Sequence, residues 1–164
     1  MEFLLRDFPL SEVQVMDTWR KVWREGFAPG LSLNGLRALR RALANNDIRL
    51  AQGATTFPPP LASVSDWPVE AACALGFCAW QGEQLETVGE VGEFFSRCCF
   101  EADQRIGKPA ASRWFLKWFD DTPREEMRRE LLIEVNRIIH ERYRSIAPAK
   151  PQQQDLFASM PQVA

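Results

Sequence analysis

The stretch Thr87–Tyr143, TVGEVGEFFSRCCFEADQRIGKPAASRWFLKWFDDTPREEMRRELLIEVNRIIHERY, decides the fold. It reads as three consecutive helices with their start and stop signals written out. Thr87 and Glu90 form a capping-box pair: the threonine oxygen accepts a backbone N–H three residues on, and the glutamate reaches back to the amide of the cap. Val88, Val91, Phe94, Phe95, Cys98, Cys99 and Ala102 then recur at helical spacing until Gly107 supplies a C-terminal stop. Pro109 suits the first turn of a second, short helix carrying Trp114, Phe115, Trp118 and Phe119. In the third, Thr122 is the expected N-cap, Pro123 the first position and Glu125 its partner. Its apolar stripe is Met127, Leu131, Val135, Ile138 and Ile139, with Arg and Glu on the other faces.

Working towards the N-terminus, Ser11 is placed to cap a first helix over about residues 12–24, on which Val15, Trp19, Val22 and Trp23 share a side. Gly26, Pro29 and Gly30 are expected to break it. A second helix is expected over about 33–44, with Leu36, Leu39 and Leu43 inward and Asn45-Asn46 as its end. Residues 53–65 read as a loop in which Phe57-Pro58-Pro59-Pro60 is locally extended, because each proline removes a donor and disfavours helix before it. Asp66 is the expected cap of a small-sided helix that continues through Ala71, Ala72, Ala74, Leu75 and Cys78 to Gly82. No stretch alternates with a period of two, so no sheet is expected. The fold class is therefore all-α: a single bundle of five to six helices over residues 1–144, packed from about residue 8. The Ser-, Pro-, Ala- and Gln-rich residues 145–164 are expected to form a flexible tail.

The composition of the 164 residues suits one soluble domain, with 46% hydrophobic and 26% charged residues. Twenty basic and 22 acidic residues leave a net charge of −2, which excludes wholesale coating of nucleic acid. The charge is uneven. Residues 54–107 carry two basic against eight acidic side chains, while both flanks are mildly basic. No apolar run approaches the roughly 18 residues of a membrane span. The N-terminus lacks a basic region followed by an apolar one, so neither a signal peptide nor a membrane is expected. Four cysteines, two of them on an apolar helix face, read as reduced thiols, and the expected compartment is cytoplasmic.

The strongest functional signal lies in the tail. Gln153-Gln154-Asp155-Leu156-Phe157 resembles the peptide by which bacterial replication and repair proteins bind the DNA polymerase sliding clamp. That motif is a Gln, a variable and often apolar residue, Ser or Asp, Leu or Met, then Phe or Leu; Gln154 departs from it where Leu is commoner. The resemblance covers these five residues only. It implies that Gln153 hydrogen-bonds at a pocket rim, Asp155 sets the peptide turn, and Leu156 and Phe157 fill the pocket, with the clamp as partner. An exposed Leu-Phe pair in a polar tail has no core of its own to serve.

Other clusters point to other chemistries. Arg37, Arg40, Arg41, Arg124, Arg128 and Arg129 are candidate DNA contacts, although pairing with Glu125, Glu126 and Glu130 accounts for much of this arginine. The eight-residue link between the first two helices is long for a helix-turn-helix. Gly89-Glu90-Val91-Gly92-Glu93 resembles the first metal-binding segment of the all-α nucleotide pyrophosphohydrolases of the MazG type, which implies Mg²⁺ held by carboxylates one turn apart. The second Glu-x-x-Asp pair of that family is missing here, and Glu83 and Glu86 join Glu90 and Glu93 on one side only if the helix begins before Thr87. Cys73, Cys78, Cys98, Cys99 and the lone His140 lack the close cysteine pairing of a zinc site. No catalytic residue, metal or cofactor is expected. The function expected from the sequence is a non-enzymatic accessory of DNA replication, repair or mobile-element propagation. A helical interaction or DNA-binding regulatory domain, with a coincidental tail match, is the alternative. A metal-dependent nucleotide hydrolase is the third reading.

Overall fold

The computed structural model describes residues 18–147. They form six helices and one minute sheet. Helix α1 is described from residue 18; it widens into a π-helix over Val22–Phe27 and tightens to 3-10 winding over Ala28–Gly30. Helix α2 spans Leu33–Asn45, α3 spans Ala74–Phe77 and runs on as a π-turn over Cys78–Gly82, α4 spans Val88–Ile106, α5 Ser112–Asp121 and α6 Arg124–Ile146. The all-α expectation holds. The expectation of no sheet does not: β1 (Thr56–Phe57) pairs antiparallel with β2 (Ala71–Ala72).

Local chemistry explains the ends of α2 and α4. Ser32 caps α2 by accepting from the Gly35 amide at 2.9 Å, and Asn46 closes it in the left-handed conformation. The Thr87–Glu90 capping box is present at the head of α4, and Gly107 ends that helix at φ +80°. Thr122 does not cap α6. Pro123 occupies the cap with no side-chain hydrogen bond, and its missing N–H removes one of the orphan donors a cap would serve. Pro109 lies in the turn that precedes α5 rather than in its first turn.

Two expected boundaries move for tertiary reasons. Gly26 does not stop α1; a β-carbon there would come within 3.2 Å of the Ala102 Cβ, so the glycine lets α1 and α4 approach closely. The helix expected from Asp66 begins only at Ala74; the residues before it form a turn, a bridge from Pro68 to Thr87 and β2. The Ala72 amide donates to the Arg49 carbonyl and the Ala51 amide to the Ala72 carbonyl, which commits this alanine to a ladder instead of a helix. α3 begins only after Cys73, whose sulfur accepts from the Gly76 amide.

The core is one large cluster. Trp19, Trp23, Phe27, Phe115 and Phe119 fill its α1–α5 side, and Leu36, Leu39, Leu43, Met127, Leu131 and Val135 fill the α2–α6 side. The predicted α6 stripe is buried as read, and so is Glu134, which is 2% exposed. The guanidinium of Arg24 donates to both Glu134 oxygens at 2.7 Å, and Arg20 donates to Glu130 at 2.7 Å, tying α1 to α6. A smaller cluster of Val69, Ala72, Ala79, Val88 and Val91 lies under the loop that follows β1. Where the π-turn crosses α2, Gly82 lies against Gly35: a β-carbon on Gly82 would fall on the Gly35 Cα and 2.6 Å from its amide nitrogen.

Candidate functional site

The five residues of the clamp-type motif, Gln153 to Phe157, lie outside the described residues, as does the expected tail from residue 148 onward. The last described helix, α6, ends at Ile146.

The structure places the candidate DNA contacts in several settings. Arg124 donates to the Asp47 and Leu50 carbonyls at 2.8 Å and to Asn46 Oδ1 at 2.8 Å. Arg128 donates to the Leu43 carbonyl at 2.9 Å and to Glu125. Both guanidinium groups thus satisfy carbonyls at and beyond the C-terminal end of α2 that have no intrahelical partner, and their charge complements the negative end of the helix dipole. Arg37 donates to the Tyr143 hydroxyl and stacks over that ring, its guanidinium carbon 5.4 Å from the centroid. Arg40 and Arg41 have no ion pair or side-chain hydrogen bond among the described residues. Arg129 lies 3.5 Å from Glu130.

The acidic quartet does not converge. Glu83 and Glu86 precede α4, so only Glu90 and Glu93 lie on it. Glu90 Oε2 accepts from the Glu86 and Thr87 amides at 3.1 and 3.2 Å, and these backbone bonds hold its carboxyl below the usual range. Among the described residues no group of three or more His, Cys, Asp or Glu is placed to hold a metal ion. The glycines of the Gly-Glu-Val-Gly-Glu segment have a packing role: a β-carbon on Gly89 would lie 3.1 Å from the Ser65 carbonyl oxygen, and one on Gly92 would touch Pro60.

The four thiols are free. Burial pushes Cys73 and Cys98 up to about 11 and Cys99 to about 12, and raises Cys78 further still. Thiols held protonated in this way are poor nucleophiles and poor metal ligands. His140 is exposed on α6.

One surface feature escaped the reading of the sequence. The loop from Phe57 to Trp67 lies along the first turns of α4, anchored by the Gly89 amide to the Ser65 carbonyl and the Val88 amide to the Trp67 carbonyl, both at 2.9 Å. Between loop and helix runs a groove of about 580 Å³ lined by Thr55, Pro60, Leu61, Val88, Glu93 and Phe95. Leu61 in its lining is 60% exposed, and Phe57 and Trp67, at the two ends of the loop, are 55% and 56% exposed. The available signals were the Phe-Pro-Pro-Pro-Leu run and the acidic middle of the chain, neither of which has a period to read. A second groove, along the outer face of α5, is lined by Pro109, Arg113, Trp114, Leu116 and Lys117.

Among the described residues no helix is long and apolar enough to cross a membrane. No protein-family model, curated protein or solved structure matches the chain.

Proposed function

We propose that this chain is a non-enzymatic accessory or regulatory protein of DNA replication, repair or mobile-element propagation that docks on the DNA sliding clamp through Gln153, Asp155, Leu156 and Phe157. The observation that carries the reading is the Gln-x-Asp-Leu-Phe spacing in a segment otherwise without large apolar side chains, apart from Met160. Leu156 and Phe157 supply about 1.5–3 kcal/mol each on full burial, less the cost of ordering the peptide. The result is a contact of weak to moderate strength, suited to a partner that exchanges on a shared ring. Any contact with DNA falls to the arginines of the flanking regions.

Titration of a labelled peptide covering residues 148–164 against purified sliding clamp, repeated with the full chain, tests this. Leu156→Ala with Phe157→Ala is expected to abolish binding without changing the melting temperature, because the burial that is lost exists only in the complex. Gln153→Ala is expected to weaken binding less, by about one exposed hydrogen bond. Unchanged clamp binding by the double variant would move the interface to the helical domain. A double variant that melts markedly lower would mean that the pair packs on the domain.

A further inference from the structure

The groove between the Phe57–Trp67 loop and α4 lies apart from the tail motif, and it has the makings of an interface of its own. Scattered single apolar residues on a surface need no explanation, whereas Phe57, Leu61 and Trp67 are three large ones on one short loop, each more than half exposed. The loop is also pre-organised. Two backbone bonds pin it to α4, the β1–β2 ladder holds one end, and the Thr56 hydroxyl donates to the Pro58 carbonyl at 2.7 Å. A surface already held in place loses little further freedom when a partner arrives.

The charge around the groove selects that partner. From Ala54 to Ser96 the sequence has no Lys or Arg and six acidic residues. Of these, Asp66 lies on the loop beside Trp67, Glu93 lines the groove, and Glu70 is joined through its amide to the Phe57 carbonyl. None of the three has an ion pair among the described residues. A field of one sign beside exposed apolar anchors repels nucleic acid and anionic lipid and attracts a cationic segment. The chain's own remaining segments fit poorly: residues 1–17 carry four acidic side chains against one basic, and residues 148–164 carry one of each.

The geometry points to this groove as the docking site for a basic, amphipathic segment of another protein, its apolar residues set against Leu61 and Trp67 and its Lys or Arg side chains facing Asp66 and Glu93. The interaction is separate from the tail and needs neither Leu156 nor Phe157.

The test uses the full chain and a synthetic amphipathic helix of Leu and Lys as probe, with a Leu/Glu helix and a Ser/Lys peptide as controls, measured by calorimetry at two salt concentrations. The Leu/Lys probe is expected to bind and the controls not. Leu61→Ser with Trp67→Ser, and separately Asp66→Lys with Glu93→Lys, are each expected to weaken binding about tenfold or more. The charge-reversal pair, unlike the first, is expected to remove the salt dependence, and both variants should keep the wild-type melting temperature. Leu156→Ala with Phe157→Ala is expected to leave the probe's affinity unchanged; a loss there would place the probe on the tail and overturn the assignment. Failure of the Leu/Lys probe to bind would overturn it too, as would binding indifferent to both groove variants. Capture of phosphatidylserine vesicles through Leu61 and Trp67, or a dimer dissolved by substituting them, would assign the surface to a membrane or to a second copy instead.

Discussion

Trp19 and Trp118 lie face to face, their ring centroids 3.5 Å apart and their planes 5° from parallel. Trp19 is 1% exposed while Trp118 is half-buried, so the outer ring is the lid over Trp19 in the first described turn of α1. The stack joins α1 to α5 at the edge of the aromatic cluster around Phe115, whose ring lies 6.1 Å from that of Trp118.

Removing that lid should be costly. Trp118→Ala is expected to destabilise the domain by about 2–4 kcal/mol, with Trp118→Phe losing less, because a smaller ring still covers part of Trp19. Thermal melts of the two variants check the order. A Trp118→Ala melt within a degree or two of wild type would remove α5 from the core. Trp114→Ala should change little by comparison, since that side chain is 41% exposed.

Glu134 should be more sensitive to its partner than to its own loss. Arg24→Ala leaves a buried carboxylate whose remaining cation among the described residues is Arg20, at 3.6 Å, and is expected to cost about 2–4 kcal/mol. Arg24→Met combined with Glu134→Met should recover most of that loss, because the unpaired charge is gone. Urea denaturation of Arg24→Met, Glu134→Met and the pair gives the coupling directly.

Arg124 distinguishes a structural role from a DNA-binding one. Arg124→Ala takes three hydrogen bonds from the segment Asn46–Leu50, and about 1.5–3 kcal/mol of stability is expected to go with them. Unchanged stability, together with a salt-dependent loss of DNA affinity, would show instead that the guanidinium is free to meet phosphate.

The thiols should be silent in the folded protein. Near pH 8 all four are expected to resist a disulfide reagent and to react only as the chain unfolds. Linkage gives the pH dependence its sign. Cys73 is raised from 9.0 to about 11, so its contribution to stability is present in full below pH 9 and is lost as the pH rises from 9 towards 11. Rapid labelling of Cys73 in native protein at pH 8 would contradict its burial.

Much of the helical skeleton was legible from local signals. The Thr87–Glu90 pair marks the start of α4 and Gly107 its end, and the 3.6-residue stripe of α6 survives intact, because these signals act within one or two turns. Ala74–Gly82 are helical as expected, but residues 66–73 were misread for the opposite reason. Their alanines favour helix in isolation, but Pro68 and the ladder between Ala72, Arg49 and Ala51 are settled by a strand-like partner some twenty residues away. The groove beside Leu61 was invisible to pattern reading, since it exists only when the loop meets Gly89 and Gly92. The Gln-x-Asp-Leu-Phe pattern was legible for its own reason: it is a matter of residue order alone, which a sequence states directly. The arginines could be counted from sequence, yet their engagement with the end of α2 could not.

The crossing of Gly82 over Gly35 bears on descent. At most positions of this domain a side chain can change and its neighbours adjust, but here backbone meets backbone, and nothing flexible stands in between to give way. Selection for the same crossing would have to preserve glycine at position 82, whatever happened to the surface or the tail, whereas a β-carbon on Gly35 would meet the Cys78 Cβ at 3.1 Å and ask that neighbour to shift slightly. A glycine that closes a π-turn against the first turn of a Ser-capped helix is therefore a mark by which distant kin of this chain could be recognised when overall similarity has faded.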